Sequence, residues 1–202
     1  MASRLETTAS RSADRAIRQL ALAGAVVAIA LGAAAWAWWS GMRPAAGGGS
    51  TIARVGQPAP EIALPLAGGG MADLQAERGN VVLVNFWATW CEPCRAEMPG
   101  LQQLRDQLHG QPFRLYSIDL QEDPDSIAAF ERELGLRLDV LIDGDGTVTR
   151  AYGVRALPAT FLVDRQGVLR QQHLGPLLTG GVDTMWTTAW VAAQVRDLLG
   201  NG

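Results

Sequence analysis

The chain has 202 residues, 48% of them apolar, and a net charge of −3 at pH 7. So apolar a composition excludes a disordered chain. All 17 basic residues are arginines, and five of them (Arg4, Arg11, Arg15, Arg18 and Arg43) lie in the first 43 residues against only Glu6 and Asp14. The remainder is therefore an acidic body without a basic tract, which argues against nucleic acid as a partner.

Residues 1–19 are rich in Ser, Thr and Arg and read as a short cytoplasmic tail. Leu20 to Trp39 contains no charged residue. As a helix it would be about 30 Å long, the thickness of a bilayer core. Trp36, Trp38 and Trp39 close it as interfacial aromatics do. With four arginines before it and Arg43 after it, the positive-inside rule places the body outside the cytoplasm. A cleaved signal peptide is the alternative, with 33–35 or 44–46 near the cut. The length of the run and its tryptophan cluster favour an uncleaved transmembrane anchor at 20–39. Residues 40–51, with three consecutive glycines at 47–49, read as a flexible tether. About 150 residues then remain, enough for one domain with a full core, expected over 52–199.

Glu61–Leu66 is a short strand candidate, Gly68–Gly70 a turn, and 73–79 a loop or one helical turn. Val81-Val82-Leu83-Val84-Asn85-Phe86 is an apolar, β-branched run that reads as a buried strand. Met98, Leu101, Leu104 and Leu108 recur at helical spacing. Between strand and helix stand Trp90-Cys91-Glu92-Pro93-Cys94, holding both cysteines of the chain. Cysteines at i and i+3 on a first helical turn can reach disulfide geometry without backbone movement. Pro93 suits that turn, because the first turn leaves its N–H groups unpaired anyway. The helix N-terminus favours a thiolate on Cys91, the nucleophilic form, and Cys94 one turn in would resolve a mixed disulfide. A zinc site would need two more ligands, and His109 and His173 stand far apart with no partner near either, so neither metal nor cofactor is expected.

Pro99 lies inside the helix and is expected to bend it. Phe113–Asp119 reads as the next strand, and Asp123 caps a helix carrying Ile127, Phe130 and Leu134. Leu138–Ile142 is a further strand, followed by an Asp143–Gly146 turn that lacks the spacing of a calcium loop. Thr160–Asp164 and Val168–His173 flank a short glycine loop as a hairpin. His173 on its second strand reads as a surface or edge residue, and His109 as a helix-end residue. Thr179–Leu199 reads as a last helix, with Met185, Trp186, Trp190, Ala193, Val195 and Leu198 facing the core. Alternating strands and helices with a final hairpin specify an α/β fold with a mixed sheet.

The run NFWATWCEPCRAEMP resembles the thioredoxin superfamily, in its TlpA/ResA/CcmG-like branch of membrane-anchored thiol–disulfide oxidoreductases. Val55–Pro60 and Leu157-Pro158-Ala159-Thr160 are similar to that branch as well, and the resemblance covers roughly 52–199. It implies a three-layer thioredoxin-like fold, a central mixed sheet with helices on both faces. It also implies a cis Leu157–Pro158 bond whose loop pairs with an incoming peptide. Trp90, Glu92, Pro93, Leu157 and Pro158 would then form the client-contacting surface. Ordinary thioredoxins carry an acid where this chain has Asn85, and the branch instead carries a glutamate matching Glu97. A role for Glu97 in passing the Cys94 proton follows from the resemblance. Glu92 and Glu97 near the pair disfavour the thiolate and lean toward a reductant, whereas Arg95 opposes them unless it points to solvent.

The resemblance further implies client disulfides in a c-type apocytochrome or a copper-site protein, and a membrane electron donor. Two other readings are a copper-handling module using the cysteine pair and a thiol peroxidase. The peroxidase signature places Pro and Thr where this chain has Val84 and Ala88.

Overall fold

The computed structural model describes residues 52–177 and 188–200. The expected tail, anchor and tether lie outside the described residues, among which no helix is long and apolar enough to cross a membrane.

A small antiparallel pair comes first, β1 (Ala63–Pro65) with β2 (Met71–Asp73), followed by a 3-10 turn at Leu74–Glu77. β2 was not expected from sequence, because three residues are too few to show a period. The main elements are β3 (Val81–Trp87), α1 (Glu92–Gln107), β4 (Phe113–Leu120), α2 (Pro124–Leu134), β5 (Val140–Asp143), α3 (Thr147–Ala151), β6 (Ala159–Val163), β7 (Leu169–Leu174) and α4 (Thr188–Gly200). The five-stranded sheet runs β5-β4-β3-β6-β7. β3, β4 and β5 are parallel, whereas β6 and β7 are antiparallel to their neighbours, so the sheet is mixed as expected.

β3 is central, and every one of its residues is buried, which is why it reads as a continuous apolar run rather than an alternation. Its odd-numbered side chains share one core with Met98, Leu101 and Leu104 of α1, Ile127 and Phe130 of α2, and Val191, Ala192 and Val195 of α4. Its even-numbered side chains pack on the other face against Leu64, Ala72, Leu74, and Val148 of α3. Helices therefore cover both faces. At roughly 25 cal/mol per Å² of apolar area removed from water, this two-sided burial is the main stabilising contribution.

The structure differs from the sequence reading or adds to it at three points. α3 follows the expected Asp143–Gly146 turn and was not itself expected from the sequence. It forms because the buried Asp143 carboxylate accepts the N–H groups of Val148 (3.2 Å) and Thr149 (2.7 Å) and the Thr149 hydroxyl (2.6 Å), an N-terminal cap supplied from the strand. In the last helix Ala193 is exposed and Ala192 is buried, since the inward stripe is Val191, Ala192 and Val195. Met185 and Trp186, also assigned to that stripe, lie outside the described residues. Third, Arg95 does not point to solvent. Its guanidinium pairs with Glu133 and lies 5.0 Å over the Phe130 ring, tying α1 to α2. α1 itself continues through Pro99, which sits on its exposed side.

Candidate active site

The parallel strand β3 delivers its C-terminal end to the N-terminus of α1, the usual location of a site in an open α/β sheet. Cys91 is the N-cap of α1, with extended backbone, and its sulfur accepts the Cys94 N–H at 3.3 Å. Cys91 and Cys94 form a disulfide with Cα atoms 5.2 Å apart. Cys91 is 5% exposed and Cys94 not at all, so an incoming group meets the Cys91 sulfur. Trp90, 69% exposed, Glu92 and Pro93 all stand at the surface beside it. Glu92 reaches no closer than 4.0 Å to Arg95 and is open to water, so its charge acts on the pair more weakly than its sequence proximity suggests.

Glu97 lies one turn beyond Cys94 and is buried. Asn85 of β3 donates from Nδ2 to Glu97 Oε1 at 2.8 Å and to Thr160 Oγ1 of β6 at 3.1 Å. The Leu177 N–H donates to Glu97 Oε2 at 2.6 Å. Burial pushes the Glu97 carboxyl from its ordinary 4.5 up to about 7, while the bonds from Leu177 and Asn85 act in the opposite direction. Asn85 and Glu97 are thus one unit, with an amide donor on the strand and a titratable acid on the helix.

The Leu157–Pro158 bond is cis. Ala159 pairs with Phe86 across β3 and β6, which places Pro158 beside the end of β3, where the chain turns toward Cys91. Leu157 packs against both cores, one of which contains Cys91 and Cys94. The Pro158 carbonyl already accepts the Gly175 N–H at 2.8 Å, and proline has no N–H to give. The N–H and C=O of Leu157, by contrast, make no backbone hydrogen bond among the described residues. His173 stays on β7, an edge strand, where partial burial lowers its pKa while its hydrogen bond to the Pro176 carbonyl raises it. His109 is exposed just past α1.

A second acidic group escaped the sequence reading. Asp119, on β4 opposite Trp87, is buried, and its Oδ1 accepts the Glu122 N–H at 3.0 Å. Burial and the Glu122 carboxylate beside it hold its carboxyl well above the usual carboxylate range. Glu122 in turn accepts from Thr89, two residues before Cys91. An acid ending a strand at the carboxyl edge of a parallel sheet was the available signal. The contact with Thr89 spans 33 residues and has no sequence signature.

The AhpC/TSA family matches over residues 55–172. The thiol–disulfide oxidoreductase ResA of Geobacillus kaustophilus is 35% identical over 63% of this chain and 73% of its own. The thioredoxin-like protein YneN of Bacillus subtilis is 33% identical over 60% and 72%. Among solved structures, a thiol:disulfide interchange protein described as DsbE, from Chlorobium tepidum, superposes with a TM-score of 0.64 at 30% identity, covering 73% of this chain and 99% of that one. StoA from Bacillus subtilis, at 20% identity and a TM-score of 0.55, shares the fold. The chain belongs to the AhpC/TSA family of thioredoxin-like proteins and is a thiol–disulfide oxidoreductase of the ResA and DsbE type.

Proposed function

We propose that the protein reduces disulfides of client proteins through Cys91 and Cys94, held outside the cytoplasm by an anchor at 20–39. The observation that carries this reading is the cysteine pair at the N-terminus of α1, one turn from the buried Glu97 that Asn85 holds.

In the reduced protein the Cys91 thiolate attacks a client disulfide. A mixed disulfide forms on Cys91 and one client thiolate leaves. Cys94 passes its proton to the Glu97 carboxylate, and its thiolate attacks the Cys91 sulfur. The Cys91–Cys94 disulfide closes and the second client thiolate leaves and takes up a proton. Three features support this assignment. A residue three positions along a helix shares its face, so the Glu97 carboxylate can approach the Cys94 sulfur. Its pKa of about 7 suits proton exchange near neutral pH. A buried acid beside the pair also disfavours thiolates, which favours a reductant.

Client binding falls to Trp90, Glu92, Pro93, Leu157 and Pro158. The exposed Trp90 ring supplies apolar surface, and the Leu157 backbone, which makes no backbone hydrogen bond among the described residues, supplies strand-like hydrogen bonds. The resemblance to the TlpA/ResA/CcmG-like branch supports clients such as c-type apocytochromes or copper-site proteins, and a membrane protein that returns electrons to the Cys91–Cys94 disulfide. The arginine asymmetry around 20–39 supports a periplasmic catalytic domain.

The test is trapping. Cys94→Ser should accumulate clients as mixed disulfides on Cys91 that dithiothreitol releases, and wild type should reduce insulin disulfides. A Cys94→Ser protein that captures no thiol partner, with a wild type inactive on insulin, would overturn the reading.

A further inference from the structure

We propose that Glu122 is a positioning residue for the attacking cysteine: its carboxylate clamps Thr89 and so fixes the turn that presents Cys91. The proposal rests on the reading of Cys91 above.

The clamp has two prongs. The Thr89 N–H donates to Glu122 Oε2 and the Thr89 hydroxyl to Glu122 Oε1, both at 2.5 Å. Charged acceptors form the stronger class of hydrogen bond, and two parallel bonds define an orientation that one cannot. The clamped residue lies inside the turn itself, since the Cys91 N–H reaches back to the Ala88 carbonyl at 3.2 Å. Both sides of the clamp are anchored in the sheet. Thr89 follows Trp87, the last residue of β3, which is buried and stacked 4.7 Å from Phe130. Glu122 is tied by its own N–H to Asp119 of β4, the register partner of Trp87.

Between the two acids Gln121 has φ of 63°, a left-handed conformation that a residue with a side chain adopts at a cost. Such a conformation persists only where its surroundings over-determine it, and here it turns Glu122 back toward the Cys91 loop. Nothing in the proton and electron steps requires Glu122. Its geometry instead holds the Cys91 sulfur over the Cys94 N–H, where the thiolate is stabilised.

The experiment measures iodoacetamide alkylation of Cys91 in the fully reduced chain, across pH, for Glu122→Ala, Thr89→Val and the double variant, with thermal unfolding alongside. Alkylation needs no client, so its outcome is independent of whether the protein reduces insulin. Each single variant should slow attack by the Cys91 thiolate about tenfold, in keeping with the sensitivity of reaction rates to small misplacements. The double variant should lose no more than either single one, because both remove the same contact. Thr89→Ser keeps both donors and should restore the rate. Should Glu122→Ala fail to fold, the Thr89→Val and Thr89→Ser pair carries the same comparison. A lowered melting temperature with wild-type alkylation rate and pH profile, or losses that multiply in the double variant, would overturn the proposal.

Discussion

In the proposed mechanism Asn85 and Glu97 divide between strand and helix the task that falls to a single strand acid in ordinary thioredoxins. The amide cannot take a proton, yet it holds the carboxylate that can. A raised carboxyl pKa means that the folded protein binds this proton more tightly than the unfolded chain. The stabilisation from that proton is full below pH 4.5 and is lost as pH rises through about 7. Such a shift corresponds to about 3 kcal/mol when fully expressed. Glu97→Gln removes the titration. In urea unfolding of the oxidised protein, its stability relative to wild type should therefore climb between pH 5 and 7 and level off above. In the reduced protein the same change should slow insulin reduction near neutral pH and alter the pH profile of cysteine alkylation. An unchanged stability difference across that range, with unchanged rates, would make Glu97 a buried charge without a proton role. Because Glu97 and the cysteines are close, the measured values belong to the cluster.

α1, α2 and α3 start on side chains placed by the strands and turns before them. α2 begins on Asp123, whose carboxylate accepts the N–H groups of Asp125 (3.0 Å) and Ser126 (2.9 Å), a local signal readable three residues ahead. α3 begins on Gly146, with no side-chain bond at its cap, and relies on Asp143 back in β5. Five residues of helix hold little stability of their own. Asp143→Ala should therefore free three donors at once, release α3 and loosen Val148 from the core. A loss of about 3 kcal/mol in urea unfolding is expected, given the usual cost of leaving buried donors unpaired. Because α3 lies on the face opposite α1, insulin reduction by the surviving folded protein should stay near wild type. A loss under 1 kcal/mol, about one thirtieth of the expected change in equilibrium constant or less, would show that Asp143 is dispensable.

At the scale of the whole chain, the sheet faces one direction with its parallel strand ends, and the cysteine turn, the cis-proline loop and the Asp119–Glu122 turn all lie at or beside that edge. The proposed topology puts this edge outside the cytoplasm. An alkaline phosphatase or β-lactamase fused after Gly202 should be active, and the full chain should sediment with membranes. A mature protein beginning beyond residue 39 would replace the anchor by a cleaved leader.

By itself the sequence determined the site's centre and its surroundings along the chain. A central strand shows as an unbroken apolar run because both its faces are buried, and Cys91 and Cys94 declare themselves by spacing, since i and i+3 on a helix are neighbours whatever the rest of the fold does. The cis bond at Pro158 and the replacement of a strand acid at Asn85 by Glu97 on the helix became legible through resemblance, while the hydrogen bond that joins Asn85 to Glu97 came from the structure. Tertiary structure alone decided the remainder. Thr89 meets Glu122, Arg95 turns to Glu133, Leu177 donates to Glu97, and Asp143 caps a helix too short to carry a period. The physical reason is shared. Hydrogen bonds and ion pairs are short-ranged and specific to geometry, so a pair distant in sequence leaves no pattern until strand register brings its members together.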